Sequence, residues 1–255
     1  MKEYTNYIFD LYDTLVHIHT DETKPALWRN TAAFLKRRGV CWQPQMLRIA
    51  YLRLCHEADD ALRKELNTDL PEIELLDVFR TLIAHPMKPH SLSDEQIDAL
   101  AGELALYFRK TSREYLYPYP GTLETLAKLR ARGKRLYLLS NAQSCFTNQE
   151  LSDCGLANVF DEIRLSSDYH VRKPAPKFMA DLLAYHHLNR EETVMVGNDF
   201  TSDIRIAQSC GLESIFLNTY QYSPEEMDAQ IRTQGLDPST ITLLVSGEIS
   251  EILNY

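Results

Sequence analysis

Apolar residues recur along the first half of the chain with the period of an α-helix. Four segments share this pattern: 24–39, 44–66, 71–85 and 93–116. Pro25 near the start of the first segment and Gly39 at its end are typical helix boundaries. Ser93 and Gln96 have the spacing of a capping box, which predicts a helix start at that point. The pattern therefore predicts a helical block over residues 17–117.

In the rest of the chain, short apolar runs that end in polar residues alternate with helical patterns. Three such runs are "YIFD" at 7–10, "LYLLSN" at 136–141 and "VMVGND" at 194–199. This alternation predicts an α/β fold in which helices cover a parallel sheet. Because ligands bind beyond the carboxyl ends of the strands in such sheets, we expect the polar ends of these runs to meet at one edge.

Composition and charge narrow the classes of function. With 44% apolar and 25% charged residues, the chain resembles an ordinary soluble globular protein. A net charge of −9 without a basic block argues against nucleic-acid or anionic-membrane partners. No window approaches the roughly 20 apolar residues of a membrane span, and the five cysteines lack CxxC spacing. We expect a cytoplasmic protein whose partner is a small anionic metabolite, bound with the help of a local cation.

Four short motifs occur in the order "FDLYDTL", "LLSNA", "RKPAP" and "VGNDFTSDI". They resemble the four motifs of the haloacid dehalogenase-like hydrolase superfamily, and the helical block resembles the cap of that superfamily. The resemblance implies a Rossmann-like parallel sheet covered by helices, with an inserted all-α cap domain. The core would comprise residues 1–16 and 118–255, with the last thirty or so residues uncertain, and the cap residues 17–117.

The motifs supply candidate catalytic and substrate-binding residues. Asp10, at a strand end, could attack an electrophile and form a covalent intermediate. Thr14 could orient Asp10 or bind the substrate. Ser140 and Asn141 could donate hydrogen bonds to an anionic group, or could instead cap the following helix. The resemblance singles out Lys173 as the ammonium that neutralises Asp10 and the substrate.

The acids of the last motif point to a metal. Asp199 and Asp203 lie four residues apart at a helix start, where the helix dipole by itself favours carboxylates. Beside Asp10 they would repel one another unless a cation is bound, and hard oxygen ligands suit Mg²⁺. The resemblance implies Mg²⁺ ligands from Asp10, the backbone carbonyl of Tyr12, and Asp199 or Asp203. Asn198 stands where the superfamily usually has an aspartate.

Tyr12 stands where phosphatases of the superfamily usually have an aspartate that protonates the leaving group. A phenol with a reference pKa near 10 is poorly suited to this task at neutral pH. A halide needs no proton, and the dehalogenase branch commonly has tyrosine here, with Arg29 as a candidate for its substrate-binding cap arginine. His17 or His19 could supply a proton instead.

These arguments predict a hydrolase that uses Asp10 and Mg²⁺ on a small phosphorylated metabolite. Tyr12 favours a metal-independent 2-haloacid dehalogenase as the alternative, whereas the acids of the last motif favour the phosphatase. A catalytically weakened binding or regulatory protein of the same fold is a third possibility.

Overall fold

A six-stranded parallel sheet lies at the centre of the computed structural model, which describes residues 3–255. The strands of the described chain are β1 (Asn6–Phe9), β2 (Val16–Thr20), β3 (Arg113–Pro118), β4 (Arg135–Ser140), β5 (Glu162–Leu165), β6 (Thr193–Gly197), β7 (Glu213–Leu217) and β8 (Ile241–Leu244). The strand order in the sheet is β5-β4-β1-β6-β7-β8. This order places β1 between β4 and β6, the strands that carry the second and fourth motifs.

Helices cover both faces of this sheet and form a separate layer above it. They are α1 (Pro25–Lys36), α2 (Pro44–Leu66), α3 (Leu75–Ala84), α4 (Asp94–Ser112), α5 (Thr122–Ala131), α6 (Ser144–Asp153), α7 (Ser166–Tyr169), α8 (Pro176–Tyr185), α9 (Arg205–Ser209) and α10 (Pro224–Gln234). The helices α5 and α6 pack on one face of the sheet, and α8 and α9 pack on the other.

The central strands read as continuous apolar runs because both of their faces are buried. On β1, Tyr7 and Phe9 belong to the core cluster beneath α5 and α6. Ile8 points to the opposite face and packs with Phe178 and Met179 of α8. The structure confirms the predicted α/β fold. In the described part of the chain, no helix is both long and apolar enough to cross a membrane.

The helices α1 to α4 have a hydrophobic core of their own. Trp28, Tyr51 and Phe108 come from three different helices, and their ring centroids lie 5.3–5.4 Å apart. Burial of such large rings supplies most of the stabilisation of a small helical layer. We call this layer the cap.

The cap is joined to the sheet by a two-stranded antiparallel ribbon of β2 and β3. The segments 17–20 and 113–117 were expected to be helical, and the structure corrects this. Polar and apolar residues alternate in "HIHT". Cross-strand pairs such as His17 with Tyr117 stabilise the extended pairing of this segment with "REYLYP". The ribbon lies at the boundaries that the sequence predicted between cap and core.

The end of the chain completes the core. β8 forms an edge of the sheet beside β7. A 3₁₀ helix over Ile249–Asn254 follows, and it buries Ile249 and Ile252 in the cluster beneath α5. The role of these residues is structural.

The capping box of α4 gives a direct test of the sequence pattern. The side chain of Ser93 accepts a hydrogen bond from the backbone N–H of Gln96, and the return bond is also present. We expect Ser93→Ala to lower the free energy of unfolding by about 1 kcal/mol. Urea titration should show no comparable loss for Ser91→Ala, which lies exposed two residues earlier. Equal losses in both variants would contradict the capping role.

Candidate active site

The polar ends of three neighbouring strands meet at the carboxyl edge of the sheet. β1 pairs in parallel with β4 on one side and with β6 on the other. Asp10 follows β1 directly, and its backbone N–H donates to the carbonyl of Val196 at 3.0 Å. Ser140 ends β4, and Asn198 follows β6. The sheet register therefore brings together residues that lie far apart in the sequence.

Asp10 is buried, and both of its carboxylate oxygens have partners. Oδ1 accepts from Nζ of Lys173 at 2.6 Å and from Oγ of Ser140 at 3.3 Å. Oδ2 lies 3.0 Å from Oγ1 of Thr14, which donates to it. These contacts fix the direction of the carboxylate and place a cation beside it.

Lys173 is buried between two carboxylates. Its ammonium also lies 2.7 Å from Oδ1 of Asp203. Burial by itself lowers the pKa of Lys173, but Asp10 and Asp203 outweigh it, so the net shift is upward and the side chain stays charged. Asn141 positions this lysine through two backbone hydrogen bonds, of 2.7 Å from the N–H and 3.1 Å to the carbonyl of Lys173.

Asp203 is held from the other side by backbone groups. Its Oδ2 accepts from the N–H groups of Asn198 and Asp199, both at 3.1 Å. Burial raises the pKa of Asp203 to about 7, against the opposing effect of Lys173. A Cβ at position 197 would lie 2.3 Å from Oδ2, so Gly197 is required for this carboxylate to pass beneath the backbone. The backbone of the fourth motif thus fixes the position of the Asp203 carboxylate.

Asn198 is the residue of the last motif that lies beside Thr14 and Asp10. Its Oδ1 lies 3.1 Å from Oγ1 of Thr14, and its Nδ2 donates to Oγ1 of Thr219 at 3.2 Å. The neutral amide therefore occupies the place where the superfamily usually has a carboxylate. The site consequently carries one negative charge less on this side.

The side chain of Asp199 is used elsewhere. It accepts from the N–H of Thr201 at 2.8 Å and from Oγ of Ser202 at 2.7 Å, and so caps the π-helical turn over Phe200–Ile204. Within residues 3–255, no three or more His, Cys, Asp or Glu side chains are grouped as metal ligands. In this structure the side chain of Asp199 caps a turn and that of Asp203 binds Lys173, and the role of either acid as a metal ligand beside Asp10 stays a prediction.

The phenol of Tyr12 is directed toward α6 and donates a hydrogen bond to the carboxylate of Glu150. It also lies 2.9 Å from Oγ1 of Thr147. Burial raises the pKa of Tyr12 above its usual value, and the charge of Glu150 raises it further. The hydroxyl is thus committed to Glu150, and the structure does not bring it to Asp10.

The alternative proton donors lie on the ribbon, and Arg29 lies on α1 of the cap. Nδ1 of His17 lies 3.3 Å from Asp13 and 3.0 Å from the hydroxyl of Tyr119. His19 is exposed on the ribbon. Arg29 is exposed and lines a cap cavity of about 530 Å³. These residues are not among the hydrogen-bond partners of Asp10 in the described structure.

The family model for haloacid dehalogenase-like hydrolases matches residues 4–211. The match extends from β1 to the end of α9 and includes all four motifs. The chain belongs to this hydrolase family.

Curated relatives of this hydrolase carry phosphatase names. A glyceraldehyde 3-phosphate phosphatase of Methanothermobacter thermautotrophicus is 31% identical over 138 residues, which are 54% of this chain and 59% of that protein. The corresponding protein of Pyrococcus abyssi is 28% identical over 210 residues, 82% of this chain and 79% of that protein. A phosphoserine phosphatase of Thermus thermophilus is 32% identical over 130 residues, 51% of each chain. The first and third matches span less than two thirds of the relatives' length.

Solved structures with the same fold include dehalogenases. A 2-haloacid dehalogenase from Pseudomonas syringae superposes with a TM-score of 0.60 at 22% identity, over 88% of this hydrolase and 89% of that chain. A dehalogenase with an intermediate complex gives a TM-score of 0.56 at 18% identity, over 100% and 97% of the two chains. These likenesses show the fold.

Sequence reasoning did not identify Thr219, Arg109 or Glu150 in this part of the hydrolase. The helical pattern could have identified Glu150, because it occupies a core-facing position of α6 beside the buried Phe146 and Leu151. A carboxylate at such a position needs a buried partner. The partner, Arg109, lies 41 residues earlier and follows from the tertiary structure.

Substitution of Gly197 tests whether the Asp203 carboxylate packs against the backbone at this position. We expect Gly197→Ala to displace the Asp203 carboxylate and to cost about 1–3 kcal/mol of stability, as overpacking does. Thermal and urea unfolding should report the loss. Gly102→Ala is the matched control, because a Cβ there meets nothing within 4 Å and α4 gains a better helix former. Unchanged stability of Gly197→Ala would contradict the close approach.

Proposed function

We propose that this hydrolase is a phosphatase that acts on a small phosphorylated metabolite through Asp10. The observation that carries the proposal is the buried carboxylate of Asp10, with the ammonium of Lys173 at 2.6 Å. A carboxylate held in a fixed direction at a strand end, beside a cation that can also attract a phosphate, suits nucleophilic attack on phosphorus. The names of the relatives, which include phosphatases for glyceraldehyde 3-phosphate, phosphoglycolate and phosphoserine, support the same substrate class.

The reaction proceeds in two steps. An oxygen of Asp10 attacks phosphorus, the bond to the leaving oxygen breaks, and the alcohol leaves with a proton from solvent. Water then attacks the aspartyl phosphate, which releases inorganic phosphate and restores the Asp10 carboxylate. Ser140 and Thr14 orient the carboxylate through their hydroxyls, and Lys173 offsets the charge of the incoming phosphate. That local cation is needed because the net charge of −9 repels an anionic substrate.

A Mg²⁺ ion is the cofactor that we propose for this reaction. Oδ2 of Asp10 and Oδ1 of Asn198 lie 3.0 and 3.1 Å from the hydroxyl oxygen of Thr14. Two hard oxygen ligands from different motifs are therefore close to each other. Together with the backbone carbonyl of Tyr12, they offer a single carboxylate and neutral oxygens, which fits Mg²⁺ completed by water and substrate phosphate. When bound, Mg²⁺ would neutralise charge between Asp10 and the phosphate and hold them in line.

A 2-haloacid dehalogenase is the second candidate. Tyr12 stands in the place that favours it, and Asn198 leaves a single carboxylate on the side of Thr14, which metal-independent chemistry tolerates. In that reaction Asp10 would displace halide from carbon, and no proton is needed by the leaving group. If the protein releases neither phosphate from phosphomonoesters nor halide from 2-haloacids, but ligands still raise its melting temperature, a binding protein of the same fold is favoured.

The two enzyme candidates are separated by measuring their products. We expect phosphate release from small phosphomonoesters that requires Mg²⁺ and is lost on chelation, without halide release from 2-haloacids. Asp10→Asn should lower turnover by about a thousandfold or more, because a carboxamide is not a nucleophile. Asp69→Asn is the matched control, since the side chain of Asp69 is fully exposed. Full turnover of Asp10→Asn would refute covalent catalysis at this residue.

Asn198 tests the placement of the metal. We expect Asn198→Asp to lower the Mg²⁺ concentration for half-maximal activity by about tenfold, because a second carboxylate strengthens a hard-cation site. Calorimetric titration of Mg²⁺ without substrate checks the same point. Asn30→Asp, an exposed position on α1, controls for the added charge. If Asn198→Asp binds Mg²⁺ no better than the wild type, the ion does not lie beside Asn198.

A further inference from the structure

Glu150 on α6 is a buried carboxylate that none of the four motifs includes. Its Oε1 accepts from Nε of Arg109 at 2.8 Å and from Nη1 of Arg113 at 2.9 Å. Its Oε2 accepts from Nη2 of Arg109 at 3.2 Å. The side chain of Glu150 is 3% exposed, and that of Arg109 is 13% exposed. Solvent therefore screens these ion pairs little, in contrast to a surface salt bridge.

These ion pairs connect the cap to the core. Arg109 belongs to the last turn of α4, and Arg113 is the first residue of β3. Both lie where the chain returns from the cap to the sheet, whereas α6 belongs to the core. Glu150 thus holds the junction between cap and core through two arginines. Motion of the cap about this junction must break or rotate buried ion pairs.

Tyr12 joins the same group from the loop that carries Asp10. Its hydroxyl donates to Oε2 of Glu150. The guanidinium of Arg109 lies 5.4 Å from the centroid of its ring, within reach of a cation–π interaction. Tyr12 packs with Leu116 of the ribbon against the core cluster beneath α5. Tyr12, two places after Asp10, therefore contacts both Arg109 of the cap and Glu150 of the core.

The four residues Tyr12, Arg109, Arg113 and Glu150 are named the junction cluster. Two arginines face the Glu150 carboxylate in it, and Arg113 also lies 4.0 Å from the carboxylate of Asp153. The aromatic rings of Tyr12 and Phe146 lie against Arg109, whose guanidinium is 4.5 Å from the centroid of the Phe146 ring. Each member is thus compensated by the others. Removing one member leaves a buried charge or donor without its partner.

We propose that the junction cluster couples the docked position of the cap to the loop that carries Asp10, and that Tyr12 acts in the reaction as a positioning residue. This inference rests on the phosphatase function proposed above. Docking of the cap brings Arg109 to Glu150, Glu150 accepts from the phenol, and the phenol anchors the loop of residues 10–16. Catalysis is then most efficient when the cap covers the site and excludes water.

A double-mutant cycle tests the coupling. Tyr12→Phe keeps the ring and removes the hydroxyl, and Glu150→Gln removes the charge at nearly constant volume. We expect each variant to lower kcat by about tenfold with little change in KM, and the double variant to lose no more than either single one. Additive losses would mean that the two residues act independently, which overturns the proposal.

The leaving group distinguishes positioning from proton donation. 4-Nitrophenyl phosphate has a leaving group that needs no proton, whereas an alkyl phosphate releases a strongly basic alkoxide. A positioning role predicts the same loss of kcat for both substrates in Tyr12→Phe. A much larger loss for the alkyl phosphate would make the phenol a proton donor and would refute the assignment.

Hydrogen exchange gives a readout that does not depend on any activity. In Tyr12→Phe we expect amides of residues 10–16 and 109–118 to exchange at least about threefold faster than in the wild type, with those of β6 and β7 unchanged. Tyr185→Phe, at an exposed tyrosine, is the matched control. Unchanged exchange in both segments overturns the coupling even if the phosphatase assay succeeds. Faster exchange without phosphatase activity retains the coupling and refutes the proposed reaction.

Discussion

A buried ammonium between two carboxylates is the interaction on which the site depends. Lys173 is 3% exposed, and its charge is stabilised because Asp10 and Asp203 lie at 2.6 and 2.7 Å. Burying any one of these charges alone would be costly, so the three must be placed together. The second, third and fourth motifs serve this placement. Asn141 holds the backbone of Lys173, and the glycine at the end of β6 makes room for Asp203.

This arrangement also determines the charge that is left for chemistry. Asp203 is committed to Lys173, and Asp199 is committed to a helical turn, so Asp10 faces Thr14 and the neutral Asn198. Fewer carboxylates therefore face Thr14 beside Asp10 than the sequence of the fourth motif suggests. The Mg²⁺ site proposed above would be weaker for lacking that one charge, whereas the alternative dehalogenase reaction would need no metal. This is the physical reason why the phosphatase and dehalogenase readings lie close together in this chain.

The cap is tied to the core by charge as well as by the ribbon. Tyr12 takes part in this connection rather than in the hydrogen bonding of Asp10, because Glu150 offers its hydroxyl a buried acceptor. Tyr12, at the position where the resemblance to the superfamily implies a proton donor, here lies at the junction between the cap and the sheet. Under the proposal made above, the same few residues control cap docking and orient the loop that carries Asp10.

The sequence by itself determined the alternation of strands and helices, the helical block and the edge at which Asp10, Ser140 and Asn198 would be found. Those features depend on local periodicity and on the rule that parallel strands end at one edge. Only the tertiary structure decided that 17–20 and 113–118 form a ribbon, because each strand is stable through its partner about a hundred residues away. It also decided where the side chains of Tyr12, Asn198 and Asp203 point. Their directions depend on long-range partners, such as Glu150 for Tyr12, 138 residues apart, which no local pattern encodes.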